Sequence, residues 1–213
     1  MILEGQVGPR VTADGSSTEF RQSRLGSLVI QQAHSKYFEA ASRSKIFTIT
    51  TAQAGTTIVA ANAAPPAAAA ATILSLYNPS GSNINAVITK TVLQNISGTP
   101  GAGAFTYCVS WGNRVTAAQN ATPRCNYIGG ANPICQGYTQ TALTGGLVHV
   151  VLRAIGLASF AAAVAAANPG LCFTDYVDGE IVVPPGGIFT IANAATGTTH
   201  VVAGSISWEE VPA

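Results

Sequence analysis

From residue 45 onward, hydrophobic positions recur in short alternating runs separated by turn residues. Residues 45–51, KIFTITT, are β-branched and run into a glycine-containing turn, the composition of a strand. Residues 72–77, TILSLY, stop at Asn78-Pro79-Ser80-Gly81, which combines four turn-forming residues. Ile84, Ala86, Ile88, Val92 and Ile96 share one parity, so residues 84–96 predict a strand with one apolar face. Residues 104–111, 147–155, 179–183, 187–193 and 199–209 complete a set of about eight strands. In the last of these Val202, Gly204, Ile206 and Trp208 alternate with Ala203, Ser205 and Ser207, so Ile206 and Trp208 are expected in the sandwich or at a subunit interface. Asp178-Gly179 reads as a turn before a strand, and residues 184–187, PPGG, separate two strands tightly. Ile155 to Ala167, dense in alanine, is the one segment expected to be helical. Spaced strands with little helix predict an all-β fold over residues 46–213, an antiparallel jelly-roll-like β-sandwich.

Residues 1–45 break the pattern. They are polar and rich in Gly, Ser, Gln and Arg, and their apolar positions are confined to Leu25–Ile30 and Tyr37-Phe38. A segment this poor in apolar surface does not offset its own ordering entropy, so it reads as an extended N-terminal arm that needs a partner surface.

Composition sharpens this picture. Only 9% of the 213 residues are charged, against 47% hydrophobic, and the formal net charge is +1. Ordinary soluble domains carry about 25% charged residues, so much of this surface is suited to contact with copies of itself or with partners. A net charge near zero gives no electrostatic basis for binding nucleic acid or an anionic membrane. The two Ala-rich runs are not membrane spans: one contains Pro65-Pro66, and the other is shorter than the roughly 20 residues needed. Charge is also segregated. Residues 46–174 contain Lys90, Arg114, Arg124 and Arg153 but no carboxylate, whereas residues 175–213 contain Asp175, Asp178, Glu180, Glu209 and Glu210 but no base. The two zones are expected to pair, within the subunit or between neighbours.

Candidate chemistry is sparse. The chain has no P-loop, no G-x-S-x-G and no dinucleotide fingerprint, and no enzyme activity or cofactor is expected. His149 lies in an apolar run and reads as a hydrogen-bonded strand histidine. Asp175 and Asp178 are close enough in sequence to suggest a hard-cation site, with solvated or paired carboxylates as the simpler expectation. Cys108, Cys125, Cys135 and Cys172 lack metal-ligand spacing and read as buried thiols. Cys125 and Cys135 form the best disulfide candidate, closing the loop between them. Tyr107, Trp111, Tyr127 and Tyr138 are the aromatic candidates for a glycan-binding face, Tyr127 and Tyr138 foremost.

Four segments together carry a resemblance. Residues 21–40, RQSRLGSLVIQQAHSKYFEA, with 76–82, LYNPSGS, 178–186, DGEIVVPPG, and 208–212, WEEVP, resemble in sequence and order a family of tailed-bacteriophage virion structural proteins. The resemblance implies a non-enzymatic protein of the phage particle surface, assembled in the host cytoplasm. On that basis the expected role is a capsid decoration, or cement, protein that associates as a homotrimer and contacts the major capsid protein or other virion proteins. Arg21, Arg24, Leu25, Leu28, Ile30, Tyr37 and Phe38 are the expected arm anchors, since arginine and aromatic side chains dominate interface energetics. The alternative implied by the same resemblance is a tail, baseplate or fibre module that binds a host-surface glycan.

Overall fold

The computed structural model of the chain describes residues 35–57, 72–97, 104–111, 115–139, 149–157, 172–193 and 200–213. The chain separates between Glu39 and Ala40 into two units, and every strand lies in the second. A short helix, α1 (Phe38–Ser42), precedes β1 (Ile46–Thr50). The order continues with β2 (Thr56–Thr57), β3 (Leu74–Tyr77), β4 (Ile84–Ser97), β5 (Ala104–Ser110), β6 (Arg124–Cys125) and β7 (Gln136–Tyr138). It ends with β8 (Val150–Leu157), β9 (Cys172–Asp175), β10 (Ile181–Val183), β11 (Ile188–Asn193) and β12 (Val201–Pro212). These strands form two antiparallel sheets packed face to face. One has the order β10-β4-β12-β1-β6, with β2 on β12 and β9 on β4; the other has the order β7-β3-β11-β5-β8.

The pairing is that of a jelly roll. First pairs with last (β1 with β12), and successive inner pairs follow: β3 with β11, β4 with β10, and β5 with β8. A long antiparallel ribbon rolled on itself then adds β12 to β4 and β11 to β5, which closes two Greek keys. The inner faces carry the core: Phe47, Ile49, Ile88, Ile206 and Trp208 from one sheet meet Leu74, Leu76, Phe105, Phe189 and Ile191 from the other. Trp208 is fully buried against Phe47, with ring centroids 5.9 Å apart. The outer face of the second sheet is buried as well, around Tyr77, Tyr138 and Ile188 and a hydroxyl chain from Thr72 through Ser75 to Thr190.

The turns follow local chemistry. Gly81, Gly179 and Gly186 adopt left-handed φ values of 81°, 94° and 81° in the three turns read from the sequence, and Asp178 precedes Gly179 at 51°.

Two expectations are corrected. Ile155 begins no helix: it lies inside β8, because pairing with β5 overrides alanine's helical preference, and residues 158–167 lie outside the described residues. The single apolar parity of residues 84–96 also fails. Ser207 pairs with Lys90 and Trp208 with Ile88, which leaves Thr89 as an extra residue. Beyond this bulge the inward residues are Thr91 and Leu93, Val92 is half-buried and Ile96 is exposed. The bulge is held by Thr89, whose hydroxyl donates to the Ser207 carbonyl at 3.1 Å and whose carbonyl accepts from the Asp178 N–H at 3.0 Å.

Candidate functional site

Rolling an open ribbon leaves a side where the sheets end in β8 on one layer and β9–β10 on the other. β9 and β10 run in line along β4, interrupted by the turn at Asp178-Gly179, so Asp175 and Glu180 flank the interruption. Both reach Arg153 of β8: Asp175 Oδ2 accepts from Arg153 at 2.7 Å and Glu180 Oε2 at 3.0 Å. The guanidinium lies 5.3 Å from the Tyr107 ring centre, and the Tyr107 hydroxyl donates to Asp175 at 2.8 Å and contacts Thr91. Burial is the main cause that pushes the Tyr107 phenol above its ordinary range. This cluster ties the sheets together across their open edge. It also pairs the basic middle zone with the acidic C-terminal zone inside one chain.

Beside the latch runs an apolar groove of about 610 Å³, lined by Trp111 and Val150 on the β5–β8 side and by Val182, Val183 and Pro184 on the β10 side. Trp111 is 74% exposed, and Val150, Val151 and Leu152 are successive exposed apolar residues on β8. Among the described residues β8 pairs only with β5 and β10 only with β4. Long apolar edges are normally blunted by charge, proline or a covering segment, and here the charges beside the groove, Arg153 and Glu180, engage each other in the latch.

At the opposite edge the loop 126–134 is braced from several sides. The Asn126 N–H donates to the Ile46 carbonyl at 2.9 Å, and Thr48 Oγ1 donates to Asn126 Oδ1 at 2.8 Å. The Gly130 N–H closes a turn onto the Tyr127 carbonyl. Glu210, the last inward position of β12, is buried and accepts from the backbone N–H groups of Ile134 and Cys135, each at 3.0 Å to Oε1, and from Trp208 Nε1. A carboxylate that receives three donors needs no cation to be satisfied. The loop projects Tyr127, half-exposed, and Ile128, 97% exposed.

The residues singled out from sequence fall into three groups. Arg21, Arg24, Leu25, Leu28 and Ile30 lie outside the described residues; Tyr37 is half-buried and Phe38 exposed. Tyr127 is exposed as a glycan-stacking residue must be. Tyr138 is not: its ring packs with Tyr77 and Ile188, and its hydroxyl donates to Gln136 Oε1 at 2.6 Å, which corrects its assignment as a binding residue. Cys125 and Cys135 are not bridged. All four cysteines are thiols, Cys172 exposed and Cys135 buried beside Glu210, where burial first and then the carboxylate's charge hold its pKa well up.

The Asp175–Asp178 cation site does not assemble, because Asp175 is spent on Arg153 and Tyr107. Among the described residues no cluster of His, Cys, Asp and Glu fits a metal ion. His149 is buried, its Nδ1 has no hydrogen-bond partner among the described residues, and burial lowers its pKa. The Glu210 brace was missed in sequence, although its parity with Trp208 was a usable signal. No family model, curated protein or solved structure matches the chain.

Proposed function

We propose that this chain is a non-enzymatic structural protein of a tailed-phage particle, a decoration protein of the head shell that works through its N-terminal arm and through packing against copies of itself. The observation that carries the reading is a jelly-roll sandwich preceded by a 39-residue segment that belongs to a separate unit. Jelly rolls recur in viral capsid and surface proteins. The four motif resemblances, the scarcity of charge and the apolar edge left open among the described residues support the same reading. Among the described residues the titratable cluster of Arg153, Asp175, Glu180 and Tyr107 is consumed in tying sheet to sheet, which favours a mechanical over a chemical role. The arm supplies the shell contact, with Arg21, Arg24 and Leu25 as anchors, and the jelly roll supplies the outer body.

The test is binding of full-length protein to purified shells, together with its copy number in the particle. Copies in the hundreds are expected, with binding lost in the Arg21→Ala, Arg24→Ala double variant. A handful of copies, with binding of the protein to host cells, would replace this reading by the tail or fibre one, for which Tyr127 offers an exposed aromatic face.

A further inference from the structure

The register across the first sheet aligns its two edges. Cys125 pairs with Phe47, Phe47 with Trp208, Trp208 with Ile88 and Ile88 with Ile181, so β6 and β10 stand at the same level. Four strand spacings of about 4.8 Å put them roughly 19 Å apart. One edge continues directly into the braced loop with Tyr127 and Ile128 at its tip; the other forms a wall of the apolar groove. A projection and a recess therefore lie on opposite edges of one rigid layer, at one height.

We propose that the tip of loop 126–134, carrying Tyr127 and Ile128, fills the groove between β8 and β10 of a second copy of this chain, so that copies associate head to tail. Three features favour a second copy over another occupant. The loop is uncharged and apolar at its tip, and it is held in shape before binding by Glu210, Asn126 and Gly130, which lowers the ordering cost of association. The margins carry opposite signs, with exposed Arg124 at the base of the loop and, at the rim of the groove, Glu180, which is exposed although it also pairs with Arg153. The groove volume, about 610 Å³, is in the range of about 300–1,000 Å³ that encloses compact groups. Because the two surfaces differ, the contact is heterologous: repeated, it closes a ring where the rotation between copies closes and otherwise extends as an open chain. This deepens the self-packing half of the function proposed above and does not depend on the shell.

The test is sedimentation velocity on the full-length protein, with circular dichroism and the thermal midpoint as controls for folding. The wild type is expected to sediment as an oligomer, closed or open-ended, rather than as a monomer. Ile128→Asp and Val182→Asp alter exposed side chains and should leave the fold intact while weakening association by roughly thirtyfold or more, the effect of losing one interface hot spot. Mixing them is the decisive measurement. Ile128→Asp keeps a working groove and Val182→Asp a working loop, so an equimolar mixture should stop at one-to-one dimers. A wild type that stays monomeric, variants that assemble like wild type, or a mixture without dimers each overturns the inference. If the wild type is monomeric and Ile128→Asp abolishes shell binding, the loop serves the shell; self-association then fails while the head-surface reading stands.

Discussion

Glu210 concentrates more of the fold's polar energetics than any neighbour, because three donors from two segments converge on one buried carboxylate. Glu210→Ala leaves the Ile134 and Cys135 N–H groups and the Trp208 indole without their acceptor. An unsatisfied buried donor costs about 1–3 kcal/mol, so the variant is expected to lose about 3 kcal/mol or more in urea unfolding, while Glu210→Gln, which keeps one acceptor oxygen, loses about half as much. The strict alternation of β12 placed Glu210 on the inward face with Trp208, so its burial was legible in the sequence. Its backbone partners were not, since they arrive from a loop 75 or so residues earlier in the chain.

The thiols separate by the same reasoning. Burial raises the pKa of Cys108 and of Cys135, and the Glu210 charge adds to the effect at Cys135, whereas Cys172 is exposed. A thiol reagent at pH 8 is expected to show a fast phase that Cys172→Ser removes, with Cys108 and Cys135 reacting only on unfolding. His149 and His200 are buried with pKa values lowered from 6.5 by desolvation. On acidification below 6.5 the unfolded chain takes up protons that the folded chain refuses, so stability is full above that pH and falls below it. The slope is at most about 1.4 kcal/mol per pH unit for each histidine. Unfolding free energies measured at pH 7.5 and 5.0 should show this loss, and His149→Gln should remove its share of the slope.

At the scale of elements, most strands announced themselves through β-branched alternation and turn residues, and β1, β3, β5 and β11 lie where the pattern put them. What escaped was set by pairing between strands. The Thr89 bulge shifts β4 by one residue and exchanges its faces, and nothing in residues 84–96 alone signals an insertion that exists only opposite Ser207 and Trp208. β8 was expected over residues 147–155 and lies at Val150–Leu157; only its end was misread, where an alanine-rich continuation suggested helix and pairing with β5 keeps the strand extended. The interruption between β9 and β10, opposite the bulge, lets two carboxylates from one edge converge on Arg153. That latch is half-exposed, so its electrostatic part is modest, about 1 kcal/mol, with the Tyr107 stacking adding a similar amount. Arg153→Met should lower the unfolding free energy by about 1–2 kcal/mol at low salt. The gap between variant and wild type should narrow in 1 M salt, where ion pairs at this exposure are screened. A gap independent of salt would assign the loss to packing instead.

At the scale of the whole molecule, a jelly roll is defined by contacts between the ends of its chain. Thr48 pairs with Ser207 and their hydroxyls lie 2.8 Å apart, although 159 residues separate them. β12 stands between β1 and β4 and contributes Ile206 and Trp208 to the core, so the β1–β6 and β4–β9–β10 parts of the sheet are joined only when the last strand arrives. Closing such long loops before any reward makes folding slow, about milliseconds to seconds, and cooperative. Among the described residues every core side chain lies at or beyond Ile46. Two truncations therefore have opposite outcomes. Removing residues 1–39 should leave the refolding rate and the thermal midpoint of the sandwich unchanged, while removing residues 205–213 should abolish cooperative unfolding altogether. Stopped-flow fluorescence reports the first, because buried Trp208 lies in the strand that closes the roll, and thermal unfolding followed by circular dichroism reports the second, in which Trp208 is removed. A shorter N-terminus that lowers the midpoint by more than a few degrees would mean that the first 39 residues contribute to the core of their own subunit, and the arm would then be unavailable as the contact to a shell.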